Sequence, residues 1–337
     1  MTLPSRTIGP FTVSAVSLGC MNLSHAYGEK PPEADAIRLL NRALDAGVTM
    51  LDTAALYGGG ANERLLGKAV MHRRQEFTLA SKCVLDIVDG KRVLDGSPAA
   101  IARALDAALQ RLGTDHIDLY YLHRLDRQVP IEESVAALVR AREAGKIGAI
   151  GLSEMSAATL RRAQAVHPIA AMQTEYSPWV RNAEVAVLDA CRDLNVGFVA
   201  FSPLARGLLA GGVTGNDFAP GDIRAGMPRF QAPHFARNRL LADRFCAVAT
   251  EAGCTPGQLS LAWVLSRAPF IVPIPGTRSI AHLDENLGGA ALTIDARFLA
   301  AVDTLFAPGA VSGNRYPPGA QAQIDTELLP EETVSAS

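Results

Sequence analysis

SPAAIARALDAALQRLGTDHIDLYYLH, residues 97–123, carries one full unit of a repeating architecture. Ser97-Pro98 is a helix start, Ile101, Leu105, Ala108, Leu109 and Leu112 fall on one face at helical spacing, and Gly113 is the stop. HIDLYYLH (116–123) then runs apolar on consecutive positions, as a strand covered on both faces does. FTLASK (77–82) lies on the other side of the helix, so the region reads strand, helix, strand.

The same alternation extends in both directions. Further strand-like runs are VSAVSLG (13–19), VTMLDTA (48–54), IGAIGLS (147–153), AAMQTEY (170–176), VGFVAFS (196–202) and FIVPIPG (270–276), making eight in all. Between them, Ile131, Val135, Leu138 and Val139 share a face that ends at Gly145, and Thr255-Pro256 with Gln258 matches a capping box ahead of an apolar helix. Eight βα units predict a closed (β/α)8 TIM barrel rather than an open doubly wound sheet, over about residues 12–305 of a single domain 1–337. Residues 205–240, with GGVTGNDFAPGDIRAGMPRF, read as a functional loop after the seventh strand. Residues 306–337 read as a polar tail crossing the barrel, frayed at its end, with Tyr316 as the one tail residue expected to reach a pocket.

Composition narrows the function classes. The 337 residues are 48% hydrophobic and 20% charged with net charge -2, and no basic stripe favours a nucleic acid. Five cysteines without a CxxC argue against a disulfide framework and predict reduced thiols. No run is long enough to span a bilayer and the N-terminus has no apolar signal region, so no membrane partner and a cytoplasmic location are expected. His25, His72, His116, His167 and His234 show no metal-ligand spacing, and no metal is predicted.

In barrel enzymes the reactive groups stand at the C-terminal ends of strands and in the loops beyond. Asp52, Lys82 and His123 fall there, and Tyr57 follows a few residues past its own run. A tyrosine titrates near pH 10, about three units above neutrality, so a nearby cation is needed to ease its proton transfer. Lys82 is the candidate cation, Asp52 its anchor, and His123 a hydrogen-bond partner for a carbonyl oxygen that Tyr57 protonates.

These residues sit in LDTAALYGGGANERLLG (51–67), TLASK (78–82) and IDLYYLHR (117–124), and the chain resembles an aldo/keto reductase, whose Asp, Tyr, Lys and His map onto Asp52, Tyr57, Lys82 and His123. IGAIGLSE, AMQTEYSPW, FVAFSPLARG, PRF and IPGTRSIAHLDENL continue the likeness in order over residues 5–305. The resemblance implies hydride transfer from NADPH to the carbonyl of an aldehyde or ketone, alcohol oxidation being the reverse. It implies Ser153, Glu154 and Gln173 near the nicotinamide carboxamide and Phe201 against its ring. Ser202, Leu204, Arg206 and Gly207 would follow the pyrophosphate, and Gly276, Thr277, Arg278, His282, Glu285 and Asn286 the adenosine end. Arg278 favours NADPH over NADH, because a guanidinium matches a 2′-phosphate better than a bare hydroxyl. Glu154 stands where many members carry Asn, and Phe201 where many carry Tyr.

Met21, Tyr27, Trp179 and Phe230 are candidates for the substrate pocket, whereas Tyr120, Tyr121, Met172 and Trp263 read as packing. Glu63 and Glu175 are left outside the catalytic set. Two other functions stay open on the residues alone: a cofactor-binding regulatory subunit of low activity, and a metal-dependent barrel isomerase or hydrolase using Asp52, His123 and Glu175 as ligands. No Rossmann GxGxxG follows a strand.

Overall fold

The computed structural model describes residues 3–332 apart from 25 and 89. The strands are β1 (Ser5–Ile8), β2 (Phe11–Ser14), β3 (Leu18–Gly19), β4 (Met50–Asp52), β5 (Thr78–Cys83), β6 (Leu85–Val88), β7 (Lys91–Leu94), β8 (Ile117–Leu122), β9 (Ile147–Ser153), β10 (Ala171–Glu175), β11 (Gly197–Phe201) and β12 (Ile271–Ile274). Eight of them pair in parallel in the order β3-β4-β5-β8-β9-β10-β11-β12. The seam between β3 and β12 closes through Ser17 N–H to Pro273 O at 3.0 Å and Gly19 N–H to Pro275 O at 3.3 Å.

The helices follow their strands: α1 (Glu33–Asp45), α2 (Ala61–Val70), α3 (Pro98–Leu112), α4 (Ile131–Glu143), α5 (Ala157–Val166), α6 (Val187–Asp193), α7 (His234–Glu251), α8 (Pro256–Arg267), α9 (Ile280–Gly288), α10 (Ala296–Leu305) and the short tail helix α11 (Pro318–Gln321). α3 is built as its sequence predicts, with Ser97 Oγ accepting from Ala100 N and Gly113 left-handed at the end. α8 opens with the reciprocal Thr255–Gln258 capping box.

Side-chain alternation explains why the strands look apolar throughout. Met50, Ala80, Leu119, Tyr121, Ala149, Ala171, Val199 and Val272 fill the barrel interior. Their neighbours Leu51, Leu79, Tyr120, Leu122, Ile150, Met172, Phe198 and Ile271 pack outward against the helices.

The run at 13–19 divides differently from its prediction as one strand. Only Leu18 and Gly19 join the barrel, while Val13 belongs to β2, paired antiparallel with β1. This hairpin plugs the N-terminal mouth, where Ile8, Phe11 and Val13 meet the interior cluster. Arg6 ties it down through Leu265 O, Ala268 O and Ile271 O at 2.6–2.7 Å. β6 and β7 form a second hairpin beyond the prediction, above the opposite mouth.

Inside the barrel, a Cβ on Gly151 would lie 2.3 Å from Tyr121 Cδ1. Gly151 therefore leaves room for the buried Tyr121 ring, and Gly151→Ala is expected to destabilise the fold by about 1–3 kcal/mol through overpacking. Chemical denaturation measures this; an unchanged midpoint would mean that the ring has other room.

Candidate active site

The alternation that packs the interior also builds the site. Asp52 follows Met50 by two residues, Lys82 follows Ala80, His123 follows Tyr121, Gln173 follows Ala171 and Phe201 follows Val199. At period two each continues its strand's inward face, so together they form a polar layer above the apolar ones. A cavity of about 1000 Å³ opens over that layer.

Lys82 is fully buried, and its Nζ donates to a carboxylate oxygen of Asp52, to Thr53 O at 3.0 Å and to Tyr57 Oη at 3.2 Å. An ammonium has three N–H groups, and all three are used. Tyr57 Oη thus accepts from Lys82, and its own proton is left to point elsewhere. The second Asp52 oxygen accepts from Gln173 Nε2 at 2.7 Å.

Gly58, Gly59 and Gly60 are all left-handed, with φ +63, +61 and +80°, and turn the chain sharply after Tyr57 into α2. Asn62 anchors this loop, accepting from Thr53 Oγ1 at 2.6 Å and donating to Cys20 O and Ser24 Oγ. Glu63 takes no part in the cavity: Ser81 Oγ and Arg111 Nε donate to it at 2.6 Å.

The electrostatics differ from expectation at one point. Burial pushes the Tyr57 hydroxyl above its ordinary range, Lys82 offsetting this only in part because Asp52 acts in the opposite sense. For Lys82, burial works against the charge, but Asp52 and Tyr57 overcome it and the ammonium is held above its usual value. His123 is pushed well below its ordinary value, first by burial and then by Arg124, Lys82 and Arg92, so its imidazole is neutral. Its ring meets Tyr57 edge-on with centroids 5.9 Å apart, and its Nδ1 is buried without a partner among the described residues.

Asp52, Tyr57 and His123 line the cavity, with Lys82 just beneath. Ser153, Gln173, Phe201, Ser202, Leu204, Arg206, Gly207, Gly276, Thr277, Arg278, His282, Glu285 and Asn286 line it too, as do Met21 and Tyr27. Their chemistry fits a dinucleotide: an aromatic face at Phe201, and guanidinium groups at Arg206 and Arg278 for phosphates. Arg206 Nη2 donates to Glu175 Oε2 and to Tyr316 Oη, both at 2.9 Å, and Ala205 and Arg206 are held left-handed. Arg278 Nη1 donates to Tyr27 O and Glu29 O.

Two expectations need correction, and the metal-dependent alternative finds no support. Glu154 is fully buried and absent from the cavity wall; its carboxylate accepts from Arg315 at 2.6 Å, Thr326 Oγ1 at 2.9 Å and Glu175 N at 3.0 Å. Burial alone would raise this carboxyl, but Arg315, Arg124 and the Glu175 N–H hold it below the usual range. Trp179 packs against Phe306 and Phe230 against Phe218, so both serve the hydrophobic packing under loop and tail rather than the cavity. Of the three residues open as metal ligands, Asp52 is held by Lys82 and Gln173 and Glu175 by Arg206. No group of three or more possible metal ligands occurs among the described residues. His25 lies outside them, as does the tail's end at 333–337.

The sequence reading missed Arg92 and Arg124 in the cavity wall and Arg315 behind it. Two signals were available: Arg124 directly follows His123, and Asp89-Gly90 between apolar runs is a hairpin mark that puts Arg92 on the return strand of a hairpin in the loop after β5.

Comparison with known proteins agrees with this geometry. The NADP(+) aldo-keto reductase yakc of Schizosaccharomyces pombe is 42% identical over 341 residues, covering 98% of this chain and all of that protein. A glycerol dehydrogenase from Gluconobacter oxydans superposes with a TM-score of 0.82 at 26% identity, covering 98% of each chain. An aldo-keto reductase from Bacillus halodurans in its holo form superposes with a TM-score of 0.74 at 26% identity, covering 94% of this chain and 98% of that one. The model of the aldo/keto reductase family matches residues 15–307, and the chain belongs to that family.

Proposed function

We propose that the protein reduces the carbonyl of a small aldehyde or ketone with NADPH, Tyr57 supplying the proton, and that alcohol oxidation is the reverse reaction. The carrying observation is the Tyr57 hydroxyl, held 3.2 Å from Lys82 Nζ at the cavity floor with its proton unused. NADPH, which Phe201, Arg206 and Arg278 would hold along the cavity wall, would supply the hydride. Tyr57 gives its proton to the carbonyl oxygen, and Lys82, held charged by Asp52, stabilises the phenolate left behind. His123, neutral at physiological pH, orients the same oxygen by a hydrogen bond. Gln173 fixes Asp52 from the cavity side.

The choice of cofactor rests on Arg278 and on the name of the fission-yeast relative. Only Nη1 of Arg278 is engaged among the described residues, which leaves the rest of the fork for a 2′-phosphate. A cytoplasmic setting belongs to the same reading, in keeping with five free cysteines.

The test is consumption of NADPH, followed by absorbance, across a panel of aldehydes and ketones. Turnover should be detected with NADPH and be weaker with NADH. Arg278→Ala should weaken NADPH binding by about tenfold or more, as loss of a charge-assisted contact does. An equal loss for NADH would remove 2′-phosphate recognition from Arg278, and no turnover on any carbonyl would overturn the reductase reading.

A further inference from the structure

We propose that Arg92 and Arg124 form an anion-binding subsite beside the reacting carbonyl, so that the preferred substrate is an aldehyde or ketone bearing a carboxylate or phosphate group. This rests on the reductase reading of the cavity.

The buried arginines of this chain are Arg124, Arg206, Arg229 and Arg315. Arg206 pairs with Glu175, Arg229 with Glu332 and Arg315 with Glu154. Arg124, only 8% exposed, makes no ion pair with a described residue; its Nη1 donates to His123 O at 2.7 Å and Ser153 Oγ at 3.4 Å. The Glu154 carboxylate, which feels the Arg124 charge, is already paired with Arg315, so Arg124 is a buried cation on the cavity wall with no carboxylate of its own, and an anion entering the cavity can pair with it.

Arg92 reaches the same cavity from the β6–β7 hairpin and also has no ion pair among the described residues. Arg92 is an exposed residue of its strand that shares the cavity wall with Arg124, and two like charges on one wall repel. An anion between them turns that repulsion into two attractions. Arg124 directly follows His123, donates to its carbonyl oxygen and lines the cavity beside it, which sets the subsite at the reacting end. Arg206 and Arg278 stand with the residues assigned to the cofactor phosphates. Planar guanidinium forks suit carboxylate and phosphate oxygens in particular.

The experiment uses the full chain with NADPH and two aldehydes of similar shape, para-carboxybenzaldehyde and para-tolualdehyde. The ratio of their kcat/KM values should favour the carboxylate by about tenfold or more. Arg92→Met should lower that ratio by about ten- to a hundredfold, chiefly through KM, and Arg92→Lys should keep part of it. A wild-type ratio near one, or a ratio that Arg92→Met leaves in place, overturns the proposal. A second readout needs no turnover: terephthalate, an unreactive dicarboxylate, should bind by calorimetry and bind more weakly to Arg92→Met. Arg92-dependent binding without reduction of any aldehyde would leave the subsite standing and remove the reductase reading. Reduction without preference for the anion would do the reverse.

Discussion

Replacing Tyr57 by Phe is expected to cut kcat for carbonyl reduction by about 10²–10⁴-fold, the usual contribution of a positioned general acid, while NADPH still binds. The phenyl ring keeps the edge contact with His123 and the packing near Lys82, so only the hydroxyl and its proton are lost. Fluorescence titration of NADPH separates binding from turnover; a variant with wild-type turnover would take the proton donor away from Tyr57. The pH profile gives a second check with a definite sign. Reduction requires the protonated hydroxyl, and burial raises its pKa, so kcat/KM should stay level through neutrality and fall only as the pH rises past the ordinary tyrosine value of about 10. His123 adds no step near 6.5, because its titration is displaced to lower pH. A decline already complete at neutral pH would show that another group carries the proton.

The strand pattern made the reacting layer legible in the sequence, because residues two apart on a strand share a face. Met50 to Asp52, Ala80 to Lys82 and Tyr121 to His123 could be read as inward steps without coordinates. The same rule separates Ser153, in step with the inward Ala149, from Glu154, one position out of register. Glu154 adopts a left-handed φ of +53° as the chain leaves β9, and its carboxylate turns to the tail. Resemblance put it beside the cofactor; its register with Ser153 argues for the opposite face. Trp179 and Phe230 were misplaced for a different reason. Loop aromatics above a barrel can line the cavity or the tail that crosses it, and only tertiary packing decides. The tail itself carries little periodicity, and its partners on the barrel and loop lie far away in sequence, as with Glu154 and Arg315, separated by 161. Tyr57 shows where a local rule gives the wrong sign. Lys82 alone would lower a tyrosine pKa, but in a buried triad Asp52 and desolvation outweigh it.

The tail's attachment yields the other large effect. Arg315→Met should leave the Glu154 carboxylate buried with only Thr326 and the Glu175 N–H as donors, at a cost of about 3–5 kcal/mol, typical when one partner of a buried ion pair is removed. Arg315 belongs to the tail while Glu154 stands at the end of a barrel strand, so the chain can escape this cost by releasing the tail instead of unfolding the barrel. The other tail contacts resist that release: Asp325 accepts from Ser156 and Thr159, Tyr316 Oη from Arg206, and Glu332 pairs with Arg229. The loss should therefore appear as protease sensitivity within residues 307–332 under native conditions, raised by about 10²–10³-fold, before any change in barrel unfolding. Pairing the change with Glu154→Gln tests the cause. If the damage is an uncompensated charge, the double variant should recover most of the protection, because a neutral amide can stay buried on Thr326 and Glu175 N at much lower cost. If the damage is lost packing around Arg315, the second change should add to the first. Cavity function is expected to follow the tail, since Tyr316 both lines the cavity and accepts from Arg206, so cofactor affinity and tail protection should fall together in Arg315→Met and return together in the double variant.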